Sequence, residues 1–221
     1  MLVKDQMTPN PLTVGPDTPV TEAQEMMQKN SIRHLPVVDE QLCLVGLLSR
    51  LSLLRAMPWS AVHLSAFETQ YILSKVKASN VMLRDVITIS EDELVEEAAR
   101  IMVDHKLTCL PVVRGETLIG IITDIDLLAT TMEMLGARQH GQRLSVMVPD
   151  RVGEIARLAT AIAGIGGDVA AFGTWEAKPN SDSGTSKRMG IVLRVNEVSK
   201  EQLSAVVEKL EDVEILSIRE M

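Results

Sequence analysis

The chain has 221 residues, room for one large or two small domains, and 46% of them are apolar, enough for a sizeable core. A formal charge of −8 leaves no basic footprint for DNA, RNA or anionic lipid, and an aromatic content of 2% argues against stacking platforms for single-stranded nucleic acid. The sequence shows no apolar run long enough to cross a membrane, and Met1-Leu2-Val3-Lys4-Asp5 has no signal-like apolar stretch, so no membrane span and a cytoplasmic location are expected. Cys43 and Cys109 lie far apart in apolar segments and read as reduced core thiols. The histidines at 34, 63, 105 and 140 have no ligand spacing, so no metal site is expected.

In chain order, residues 3–54 and 78–128 repeat each other. At an offset of 75, Met7, Thr13, Val20 and Met27 map onto Met82, Thr88, Val95 and Met102, and Leu35-Pro36-Val37-Val38 maps onto Leu110-Pro111-Val112-Val113. At an offset of 74, Gly46, Ser49 and Leu53-Leu54 map onto Gly120, Thr123 and Leu127-Leu128. Two copies are too few for a solenoid, so a face-to-face pair is expected. Each copy reads as a short strand ending at Thr13 or Thr88, an amphipathic helix, two buried strands and a closing helix. The helices bury Val20, Ala23, Met26 and Met27, or Val95, Ala98, Ala99 and Met102, and Thr18-Pro19 reads as an N-cap followed by the first helical residue. The strands are Leu35–Val38 and Leu42–Leu48, then Leu110–Val113 and Thr117–Ile122.

Between the copies, Pro58 is expected to break the first closing helix. Ser65-x-x-Glu68 has the capping-box shape, and Phe67, Tyr71, Ile72 and Val76 form an apolar stripe on one extra helix. After residue 142 the pattern changes. Leu144, Val146 and Val148 alternate as a strand, Ile155–Ile165 is a helix with Ile155, Leu158, Ala159 and Ile162 inward, and Val169–Trp175 is a second strand. Polar residues 177–187 precede a third strand (Met189–Val195), a helix (Lys200–Leu210) and a fourth strand (Val213–Ile218). The order is βαββαβ, a ferredoxin-like split unit. The expected layout is α/β (α+β): repeat 1 at 1–57, an inter-repeat helix at 58–77, repeat 2 at 78–135, a linker at 136–142 and a C-terminal domain at 143–221.

The chemistry concentrates where the second copy's last strand meets its closing helix, Gly120-Ile121-Ile122-Thr123-Asp124-Ile125-Asp126. Thr123 and Asp126 stand nearly one helical turn apart and can face one space. A hydroxyl can bond a phosphate or sugar oxygen, and a carboxylate can accept both hydroxyls of a ribose. The plainer reading of the same pair is a helix N-cap. Arg33 offers a planar fork of donors that suits a phosphate, but it equally fits a solvated helix end, and His34 a satisfied rim histidine.

With Leu35-Pro36-Val37-Val38-Asp39, Leu110-Pro111-Val112-Val113 and the junctions Gly46…Ser49 and Gly120…Thr123, the repeats resemble CBS domains. The resemblance implies a tandem pair holding an adenosine nucleotide (AMP, ADP, ATP, S-adenosylmethionine or NAD) as ligand, with no cofactor required. It places Thr123 on phosphate or sugar, Asp126 on the ribose, Leu12 and Ile87 beside the adenine, and Arg33 and His34 (Thr108 and Cys109 in the other copy) towards the phosphates. Copy one keeps Ser49 but has Ser52 where the aspartate belongs, so one good site and one weak or empty site are expected. The C-terminal part, on Val148-Pro149-Asp150-Arg151-Val152-Gly153 and Gly166-Gly167-Asp168-Val169, resembles ACT domains. That implies side-by-side pairing and an amino acid near Asp150, Arg151, Val152, Gly153 and Asp168. Val152 replaces the usual proline of that turn and Asp168 the usual asparagine; an aspartate there would repel a ligand carboxylate.

The whole arrangement resembles the B-type acetoin-utilisation accessory proteins. It implies a homodimeric regulatory sensor with a regulated protein partner and no catalysis, since neither a nucleophile motif nor a P-loop is present. Two other readings stand beside it: an adaptor with both clefts closed that binds only a partner protein, supported by Ser52, and a nucleotide hydrolase, which lacks a carboxylate cluster for Mg²⁺.

Overall fold

A computed structural model describes residues 1–55, 66–177 and 187–220. The chain divides into two compact units, residues 1–128 and 129–221. Pro58 and Ser65 lie outside the described residues.

The first unit contains both repeats. It begins with α1 (Val3–Gln6) and β1 (Thr8–Pro9), followed in copy one by α2 (Val20–Lys29), β2 (His34–Val38), β3 (Leu44–Ser49) and α3 (Arg50–Arg55). Next come α4 (Ala66–Leu73) and α5 (Ala78–Val81), then β4 (Ile89–Ser90), α6 (Val95–His105), β5 (Cys109–Arg114), β6 (Thr117–Thr123) and α7 (Asp124–Met134) of copy two, the last of which passes the boundary between the units. β5 and β6 pair antiparallel, and β4 pairs parallel to β5 through Ile89↔Val112. Copy one reproduces this with the antiparallel β2–β3 pair and a parallel bridge Val14↔Val37. The first strand of each copy therefore begins just after Thr13 or Thr88 instead of ending there. Pro111 has no N–H to give, and it sits one residue before β4 begins to pair with β5.

The leading segments change places. β1 pairs with β6 of the other copy (Thr8↔Ile121, Pro9↔Gly120), and Val3 is fully buried in the copy-two core beside Ile89, Leu110 and Ile122. Reciprocally, Ala78 lies in the copy-one core with Val20, Leu35 and Leu48, and Leu83 bridges Leu47. The Ala78 N–H donates to the Thr18 carbonyl, 2.8 Å, and the Val20 N–H to the Val76 carbonyl, 2.8 Å. Thr18 does not cap α2: its hydroxyl accepts from the Gly15 N–H at 3.1 Å, and Pro19 occupies the cap position. The two copies also join where their second hairpin strands begin, through Cys43↔Thr117 and bonds from the Leu44 N–H to the Glu116 carbonyl and from the Leu118 N–H to the Leu42 carbonyl. β3 proper accordingly starts at Leu44. Of the expected stripe, Tyr71 and Ile72 are solvent-exposed and Val76 packs on the copy-one core; among the described side chains of α4, Leu73 is buried.

The second unit runs β7 (Gln142–Pro149), α8 (Glu154–Gly164), β8 (Asp168–Glu176), β9 (Arg188–Asn196), α9 (Lys200–Val207) and β10 (Glu214–Glu220). Its sheet order is β10-β7-β9-β8 with every pair antiparallel. Two interleaved β-α-β units give this order, the ferredoxin-like topology read from the sequence. One sheet face (Leu144, Val146, Val148, Ile191, Leu193, Val195) packs against Leu158 and Ile162 of α8 and Leu203 and Val207 of α9. The inward face of α8 is turned from expectation: Ile155 is exposed, while the carboxylate of Glu154 is buried.

Candidate functional site

β6 carries Thr123 to the threshold of α7, and the reciprocal cap is formed. The Thr123 N–H and hydroxyl both donate to Asp126 Oδ2, at 2.8 and 2.7 Å, and the Asp126 N–H donates back to the Thr123 hydroxyl at 3.4 Å. The cap occupies only Oδ2: Oδ1 of Asp126 makes no hydrogen bond among the described residues. Copy one has the same cap in neutral form: the Ser49 N–H donates to the Ser52 hydroxyl at 2.7 Å, and that hydroxyl donates to the Ser49 carbonyl at 2.8 Å.

Arg33 and His34, at the end of the loop after α2, reach across to the other copy. Arg33 pairs with Asp124 at 2.5 Å, and His34 Nε2 lies 3.0 Å from the Thr108 hydroxyl. Burial lowers the His34 pKa, the Arg33 charge lowers it further, and Asp124 opposes both. Its ring therefore stays neutral at physiological pH. Asp124 was not singled out in the sequence, where nothing marks it as the partner of a residue in the other repeat. Leu12 and Ile87, equivalent positions of the two copies, are both partly exposed apolar side chains.

Ser49, His34, Thr108 and Cys109 come together in an open cleft of about 550 Å³ on the copy-one side. Ser52, Leu47 and Leu51 complete one wall. The exchanged segment supplies Asn80 and Met82, and the corner after α6 supplies Lys106 and Leu107. Sequence reasoning missed Asn80, Met82 and Lys106; the pairing of Met82 with Met7 in the repeat was the available clue. The Cys109 thiol is pushed up to about 12, by burial first and then by the charge of Asp124, with Arg33 opposing, which favours the protonated thiol. A shallower depression of about 650 Å³ is lined by α2 and Asn30 alone and gathers no converging groups.

In the second unit the residues assigned to an amino-acid site separate. The Asp150 N–H donates to the Lys187 carbonyl, 2.9 Å, Val152 is fully exposed, and Gly153 takes a left-handed φ of 95° to start α8. Arg151 is committed to Glu154 at 2.5 Å and approaches Asp212 at 3.5 Å. Asp168 starts β8 opposite Asn196, at the Gln142 end of the sheet, whereas Asp150–Gly153 follow the Pro149 end. Within one chain the sheet keeps them apart by its length, roughly 20 Å at 3.3 Å per residue. Burial opposes ionisation of Glu154, but hydrogen bonds from Arg151 and Arg157 outweigh it and hold the carboxyl below its ordinary range.

Among the described residues, no three potential metal ligands cluster and no helix is long and apolar enough to cross a membrane.

Comparison with known proteins sharpens this picture. The "CBS domain" family model matches residues 3–58 and 78–133, about half of the chain. A structure assigned to acetoin utilization (AcuB) from Vibrio cholerae is 31% identical, covers 63% of this chain and 96% of its own, and superposes with a TM-score of 0.53. CBSX2 in complex with AMP is 30% identical over 60% of this chain and 96% of its own, TM-score 0.50. The CBS domain pair of protein MJ0100, in complex with 5′-methylthioadenosine and S-adenosyl-L-methionine, is 28% identical over 63% and 98%, TM-score 0.50. The chain spans only about a quarter or less of the first curated relatives it matches; these include inosine-5′-monophosphate dehydrogenase of Methanocaldococcus jannaschii, 37% identical over 136 residues and 61% of this chain. A family match to each repeat, laid over two copies that share one fold and exchange their leading segments, means that this chain belongs to the CBS domain family and carries the domain twice.

Proposed function

We propose that the protein is a regulatory, non-catalytic sensor whose CBS pair binds an adenosine nucleotide at the Thr123–Asp126 junction. The observation that carries this reading is the capped geometry there: Thr123 holds Oδ2 of Asp126 and leaves Oδ1 for a ribose hydroxyl. Arg33, arriving from the other copy, is the guanidinium for the phosphate, at the cost of its bond to Asp124. Leu12 and Ile87 offer apolar surface to the base. The adenosine ligands of CBSX2 and of the MJ0100 pair support the ligand class.

Because the site draws residues from both copies, occupancy biases their relative arrangement, provided the ligand binds one arrangement better than another. The C-terminal domain, ferredoxin-like in topology, is the ACT-like half of the reading and serves pairing into a homodimer or amino-acid binding. With Asp168 and Asp150–Gly153 at opposite ends of one sheet, an amino-acid site that uses both needs residues from two chains. The protein partner that reads the signal, a role in acetoin utilisation and a cytoplasmic location belong to this same proposal.

Calorimetry of the full chain against AMP, ADP, ATP, S-adenosylmethionine and NADH tests it. A tight component near one site per chain, lost in Asp126→Ala, is expected. No heat with any of the five would leave an adaptor that binds only protein.

A further inference from the structure

The carboxylate of Asp124 sits on the guanidinium assigned above to the ligand's phosphate, and it is fixed there. The Asp124 N–H donates to the Thr108 carbonyl at 3.1 Å. Oδ1 accepts from the Ile125 N–H at 2.9 Å and pairs with Arg33 at 2.5 Å. The Arg33 and Asp124 side chains remain 44% and 39% exposed, so a ligand can reach both. The charge of Asp124 is felt at the same rim, where it pushes up the Cys109 thiol and opposes the lowering of His34. The fold itself does not ask for an acid here, because the equivalent position of copy one, at the offset of 74, is Arg50.

A ligand whose ribose lies on Asp126 therefore meets one guanidinium and two carboxylates. Arg33 can answer one anionic group. Each further phosphate adds negative charge that Asp124 repels. An aminoacyl tail instead brings a carboxylate for Arg33 and an ammonium for Asp124, and leaves both charges matched. We propose that Asp124 is a specificity-determining residue that ranks adenosine ligands by the charge of the 5′ substituent: it admits a monophosphate, disfavours polyphosphates and favours a zwitterionic aminoacyl group. The inference rests on the ribose role proposed above for Asp126.

The test is calorimetry of the full chain in EDTA, which removes divalent cations from the phosphates, with adenosine, AMP, ATP and S-adenosylhomocysteine as probes. The tail of the last is a zwitterion with no other charge. AMP should bind wild type more tightly than ATP. Asp124→Asn should tighten AMP two- to fivefold and ATP tenfold or more, leave adenosine unchanged and weaken S-adenosylhomocysteine threefold or more. Asp124→Glu, which keeps the charge, should keep the wild-type ranking. Circular dichroism of each variant establishes that it is folded. An AMP-to-ATP ratio unchanged in folded Asp124→Asn, or a shift of all four ligands by one common factor, overturns the inference and leaves the ribose reading standing. Silence of wild type towards all four refutes both. The expected opposite shifts in Asp124→Asn, with every component surviving Asp126→Ala, refute the ribose reading and support the charge selection.

Discussion

Replacing Gly46 by alanine probes the exchange of leading segments directly. A methyl group there would overlap the sulfur and Cγ of Met82 and come within 3.0 Å of the Leu83 carbonyl oxygen. The Met82 side chain can swing, but the carbonyl cannot withdraw freely. It accepts from the Leu47 N–H at 2.9 Å, and the Leu83 N–H donates back to the Leu47 carbonyl at 2.9 Å. Overpacking of this kind costs about 1–3 kcal/mol. Alanine recovers about 0.4–1 kcal/mol by restricting the unfolded chain. The net expectation for Gly46→Ala is destabilisation by about 1–2 kcal/mol, a fall in midpoint of roughly 2–8 °C. At Gly120 the nearest atoms to the new methyl all belong to the Met7 side chain, so Gly120→Ala should cost less, under about 1 kcal/mol. Urea and thermal unfolding followed by circular dichroism measure both. In a Met82→Ala background the penalty of Gly46→Ala should shrink by about 0.5–1 kcal/mol, the coupling of a contacting pair. A Gly46→Ala protein as stable as wild type, or more so, is what an uncrowded glycine would give, and it would refute the packing of the copy-two leader on copy one.

Three further outcomes follow from the site and from the second unit. Asp126→Asn should weaken AMP by tenfold or more, the loss of about 1.5–3 kcal/mol for a charge-assisted bond, measured by calorimetry. Asp124→Asn releases Arg33 from a half-exposed pair worth only about 0.2–1 kcal/mol, so AMP should tighten two- to fivefold while adenosine, with no phosphate, stays unchanged. Glu154→Gln should destabilise the second unit by about 1–3 kcal/mol at pH 7, because the buried carboxylate holds both Arg151 and Arg157 at 2.5 Å. The folded pKa of Glu154 is depressed, so its contribution is complete above the ordinary glutamate range and disappears as the pH falls through the lowered value. The gap between wild type and variant, followed by urea unfolding from pH 7 to pH 3, should therefore narrow on acidification; a constant gap would contradict the ion-pair origin.

The repeat, the order of elements and the capped junction at Thr123 were legible because they rest on local periodicity and spacing. The exchange was not. Met7 and Met82 are equivalent, as are Gly46 and Gly120, so the sequence fits either leader on either core, and only the run of the chain between them decides. The arrival of Asn80 beside Ser49 depends on that exchange and was hidden with it, and Lys106 comes from the corner after α6 of the other copy, a contact between repeats that no local pattern marks. Asp150 and Asp168 are close in sequence, yet the α8 crossover returns the chain to the opposite end of the sheet before β8 begins. Burial of Glu154 defeated the apolar pattern of α8 because two arginines, not neighbouring apolar residues, make its position favourable.

The crossed leaders have a consequence for biosynthesis and descent. When residues 3–9 leave the ribosome, the core they cover has not yet been made, and copy one cannot close until Ala78 has emerged. Each half draws part of its core from the other, so the two are expected to unfold together, as a single transition in urea. A lone ancestral half would have faced the same vacancy and could have filled it only with the leader of a second molecule. Gene duplication would then have joined two chains that were already interlocked.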